Sequence, residues 1–105
     1  MVPVNAEQAS TLAAQFAELA EEWKRATALL SSSTAISEHP AYRAVIALGW
    51  PVVPFILRDL EREPAHWFEA LHAITGEDPV PVEDWGRIQP MRAAWLAWGR
   101  GRGLI

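Results

Sequence analysis

The side chains best suited to chemistry form the pattern His66-x-x-Glu69-x-x-His72. His and Glu are zinc ligands, and residues three apart on a helix are neighbours. At about 100° per residue, however, the two histidines diverge by about 120°, while Trp67, Ala70, Leu71 and Ile74 take the opposite side. The spacing also departs from His-Glu-x-x-His and from its inverse. A solvated helix face is therefore expected here, with no metal and no cofactor.

His39 lies before Pro40 and two residues after Ser37. It has the chemistry of a general base, but the sequence supplies no orienting carboxylate beside it. A capping or packing histidine is the simpler expectation. The competing reading gathers His39, Tyr42 and the Trp50 turn around a small-molecule pocket. The glycines form no phosphate loop, since no Gly-x-x-x-x-Gly-Lys occurs. The run Gly99-Arg100-Gly101-Arg102-Gly103 is a short Arg/Gly tail, which would give only weak nucleic-acid association.

The six tryptophans are more informative. Trp23 and Trp67 sit on helical stripes and belong in a core. Trp95 and Trp98 share a stripe of the last helix, whereas Trp50 and Trp85 fall in turns, where periodicity does not require burial. Tryptophan is enriched at binding hot spots, and its amphipathic ring suits a half-wet position. Charge is sorted as well: Glu77, Asp78, Glu83 and Asp84 are followed only by Arg87, Arg92, Arg100 and Arg102. Trp50, Trp85, Trp95, Trp98, Glu77, Asp78, Arg87 and Arg92 are accordingly the candidates for contact with a partner.

The elements that must position these residues read as helices. Leu12, Phe16, Leu19, Trp23, Ala26 and Leu30 recur at spacings of three and four, so a long amphipathic helix is expected over residues 5–30, capped by Asn5 and Gln8. Ser31-Ser32-Ser33-Thr34 suggests a linker over 31–37, with Ser37 capping a short helix through Leu48. Gly49 closes that helix, and Pro51 and Pro54 open the next. Pro64 ends it and opens a fourth, from Ala65 to Thr75. Gly76 stops the fourth, an extended Pro-rich loop follows, and Pro90 begins the last. No segment alternates like a strand, so the chain is expected to be all-α, a bundle of about five helices.

The 105 residues are half apolar and carry a net charge of −4. That size supports one domain, residues 1–105, burying roughly 65% of its unfolded surface. The acidic balance argues against general nucleic-acid binding. Absent cysteine excludes disulfides and thiolate sites. Neither a signal peptide nor a membrane span is evident, which points to a cytoplasmic protein.

Three stretches, HPAYRAVIALGWPVVPFIL, PAHWFEALHAITGEDPVP and WLAWG, resemble a family of small uncharacterised bacterial helical proteins. The resemblance covers about the C-terminal two-thirds and implies no catalytic residues. Gly49-Trp50-Pro51-Val52-Val53-Pro54 is also loosely similar to the turn between paired helices of short HEAT-like repeats. That similarity implies a HEAT-like hairpin within residues 38–105, with the N-terminal helix packed on it. The combined expectation is a non-enzymatic protein-interaction module (adaptor, antitoxin-like or immunity-like), monomeric or a small homo-oligomer.

Overall fold

The computed structural model of the protein describes residues 6–30 and 33–105. Among them are six helices and no strand: α1 (Ala6–Thr27), α2 (Ser33–Ser37), α3 (Pro40–Leu48), α4 (Val53–Arg62), α5 (Phe68–Thr75) and α6 (Ile88–Gly101). The all-α bundle expected from the sequence is present. No single helix among the described residues is long and apolar enough to cross a membrane.

α1 buries Phe16, Ala20, Trp23 and Thr27, and it ends before the expected Leu30. The Thr27 hydroxyl donates back to the Trp23 carbonyl at 2.7 Å, and the Leu30 amide turns onto the Thr27 carbonyl. Leu30 is consequently 46% exposed. The Asn5 cap and the first two linker serines lie outside the described residues. The rest of the expected linker is α2, whose Ile36 is buried and accepts the Trp23 indole N–H at 2.8 Å. That bond ties the segment down.

His39, not Ser37, caps α3: its Nδ1 accepts the Ala41 amide at 3.1 Å, and Pro40 fills the first helical position. At Gly49 the chain bends by 103° into a short 3₁₀ turn, Trp50–Val52, and then α4. α1 packs chiefly on α3, α3 also packs on α5, and α4 packs chiefly on α6.

α5 starts at Phe68, three residues later than Pro64 and Ala65 suggest. The reason lies across the core. The Tyr42 hydroxyl donates to the His66 carbonyl and accepts the Ala70 amide, both at 2.8 Å. It thereby satisfies one of the orphan donors of the first turn, as an N-cap side chain would. A second remote cap comes from Arg92, which donates to the Leu60 carbonyl at 2.6 Å and to the Glu61 carbonyl. These are among the last acceptors of α4, where a cation also complements the helix dipole.

Trp67 is the centre of the core, fully buried between Trp23, Tyr42 and Phe16, with ring centroids 4.4, 5.6 and 5.5 Å away. Its indole N–H donates to Asp59 at 2.8 Å. Asp59 is only 4% exposed and also accepts Lys24 of α1 and Arg62 of α4, each at 2.6 Å. Burial alone would raise the Asp59 carboxyl, but the bonds from Lys24, Trp67 and Arg62 outweigh it and hold its pKa below the ordinary value.

Candidate functional site

The loop after α5 is built turn by turn. Gly76 adopts φ 71°, open to glycine at little cost, and ends the helix. The Glu77 amide then donates to the Thr75 hydroxyl, and the Asp78 carboxylate accepts the Val80 amide. Val80 is buried and anchors the loop. Beyond it, a 3₁₀ turn at Val82–Asp84 carries Val82 and Trp85 outward, 67% and 59% exposed. The Trp85 indole N–H returns to the Val80 carbonyl at 3.2 Å, which fixes the ring against its own loop.

Beside Trp85 lies a recess of about 200 Å³ walled by Phe68, Glu69, His72, Asp78 and Met91, with the buried Trp95 in its lining. Phe68, Glu69 and Met91 also line a larger cleft of about 660 Å³ that extends past Ile88 and His66 to Glu38. The two form one surface. The Glu69 carboxylate makes no hydrogen bond or ion pair among the described residues, and the Asp78 carboxylate holds only the Val80 amide at 3.3 Å. The His72 Nδ1 lies 2.9 Å from the Glu77 carbonyl, which can only accept, so Nδ1 donates.

The structure separates the sequence candidates. Trp85 and Asp78 meet at the recess. Trp95, at 2% exposure, is a core residue that reaches the surface only in the lining of the recess. Arg92 has its guanidinium engaged on the carbonyls of α4. Glu77 pairs with Arg102 at 3.0 Å, and Arg87 pairs with Asp84 at 3.4 Å.

Trp50 and Trp98 form a second aromatic patch, centroids 6.3 Å apart, with the Arg102 guanidinium 5.1 Å from the Trp98 ring. The Trp98 indole nitrogen is buried and has no partner among the described residues. This patch adjoins the C-terminal end of α6, while Trp85 precedes its N-terminal end. The chain does not bring the two turn tryptophans into one groove.

The small-molecule constellation is also dispersed. His39 and Trp50 stand at opposite ends of α3, and Tyr42 is fully buried with its hydroxyl engaged twice. Burial pushes that hydroxyl well above the ordinary tyrosine range. The C-terminal arginines are occupied as well, Arg100 by Glu61 at 2.9 Å and Arg102 by Glu77.

The largest open groove runs between α1 and α4 over Phe16, Ala20 and Phe55. Lys24 crosses it to Asp59 and Glu63, both at 2.6 Å, while Arg58 on its lining has no ion pair among the described residues. On the Trp85 surface the carboxylate of Glu69 likewise has none among the described residues. No family model, curated protein or solved structure matches the chain.

Proposed function

We propose that the protein is a non-enzymatic protein-interaction module, in an adaptor, antitoxin-like or immunity-like role, whose Trp85 face meets the partner. The observation that carries this reading is the exposure of Val82 and Trp85 on one short turn beside an apolar-floored cleft. Burying a large apolar side chain is worth about 1.5–3 kcal/mol, and the same loop places Val80 inside while leaving Val82 and Trp85 out. Isolated surface hydrophobes are ordinary. A rigid indole next to Phe68 and Met91 makes a continuous surface of the composition that dominates binding hot spots.

The reading retains the small bacterial family suggested by the sequence motifs, with α3 and α4 as its single HEAT-like unit. It places the protein in the cytoplasm as a monomer or small homo-oligomer. The test is affinity purification of tagged protein from the cells that make it, with light scattering of the product. A stoichiometric partner retained by the wild type and lost by Trp85→Ala supports the reading. An inert monomer without a partner, or a partner indifferent to Trp85, contradicts it.

A further inference from the structure

We infer that the recess beside Trp85 takes a lysine or arginine side chain of a partner protein, next to an apolar residue that fills the adjoining cleft. The inference deepens the interaction reading and rests on it. Three observations define the occupant.

First, size. The recess of about 200 Å³ opens beside the cleft of about 660 Å³, so one long side chain fits the first while a neighbouring residue fills the second. Second, charge. The carboxylates on its wall are Glu69 and Asp78, beside the His72 ring, and Glu38 adds a third along the neighbouring cleft, which His66 also lines. The one arginine of this loop, Arg87, is held by Asp84. Glu69 has no ion-pair partner among the described residues, so an incoming cation would displace none of its bonds.

Third, surface. Phe68, Trp85 and Met91 give the recess apolar and aromatic walls. A long cationic side chain lays its methylenes along such walls and its charge against a ring face. The larger cleft repeats the apolar floor with Phe68, Ile88 and Met91, at a volume suited to a further aliphatic or aromatic anchor. The complement is thus a basic residue flanked by an apolar one. An acidic segment would meet Glu38, Glu69 and Asp78 as like charges.

The experiment is selection from a random peptide display library on the full chain, followed by titration of the selected peptides. We expect a consensus with Lys or Arg beside Leu, Met or an aromatic residue. Changing that cation to Gln should weaken binding about tenfold, as should Glu69→Gln, with Asp78→Asn smaller because Asn preserves the Val80 turn. Affinity should also fall as salt is raised. Circular dichroism of each variant separates lost binding from lost fold.

Peptides that bind through Trp85 with no basic preference, or that are indifferent to Glu69→Gln, overturn the cation inference and leave the interaction reading standing. Binders indifferent to Trp85→Ala overturn both.

Discussion

Replacing Asp59 tests whether the buried carboxylate, rather than packing alone, joins α1, α4 and the Trp67 core. Asp59→Ala strands the Trp67 indole N–H in a fully buried position, which costs about 1–3 kcal/mol. Lys24 loses one of two carboxylates but keeps Glu63 at 2.6 Å and is 28% exposed, so its share is about 1 kcal/mol. Arg62 is 76% exposed and adds little. The total is about 3 kcal/mol, or about 12–24 °C in Tm for a domain near this size. Asp59→Asn still offers an acceptor to Trp67 and should cost about 1–2 kcal/mol.

The pH dependence follows in sign. Because the folded carboxyl lies below its ordinary pKa, the stability it confers is present above about pH 4 and disappears as pH falls through the folded value. Asp59→Asn should therefore flatten the loss of stability between pH 7 and pH 3. Thermal and urea denaturation at both pH values measure these quantities. A Tm shift below about 4 °C for Asp59→Ala would refute the reasoning. So would equal cost for Asn and Ala, which would assign the effect to charge and not to the indole bond.

Tyr42→Phe removes the remote cap of α5 and should cost about 1–3 kcal/mol in urea melts, with less stability lost above about pH 10 than in the wild type. Arg92→Met uncaps the end of α4 and should cost about 1–2 kcal/mol in the same assay. Gly99→Ala places a Cβ 2.6 Å from Leu57 Cδ1, and the overpacking should exceed the helix-propensity gain by about 1 kcal/mol. Trp85→Ala should leave Tm within about 2 °C of wild type, since its ring is mostly outside the core.

The helices were legible where apolar spacing and Gly/Pro punctuation agreed. Phe16 and Trp23 lie on the expected stripe, and both Gly49 and Gly76 stop helices. Boundaries failed where a distant side chain decided them. α5 begins where Tyr42 supplies a cap to the amide of Ala70, 28 residues further on, and the supposed linker folds because Trp23 reaches Ile36. Asp59 was hidden in the charged run Arg58 to Glu63, although its position three residues after Ile56 sets it beside the buried face.

The proposed Trp85 surface was half visible. Trp85 and Asp78 could be singled out in a Pro-rich turn, but Phe68, Glu69 and Met91 join them only because the start of α5 and the start of α6 line one recess. Trp95 and Arg92 show the reverse limit. Side chains chosen for type prove to be occupied by the fold, which sequence spacing does not reveal.

The most direct test of the Trp85 face is photo-crosslinking in the cells that make the protein, with a photoreactive residue at position 85 or position 50. A discrete protein adduct is expected from position 85, weakened when Glu69→Gln is added, with far less from position 50. A partner crosslinked from position 50 alone would contradict that expectation.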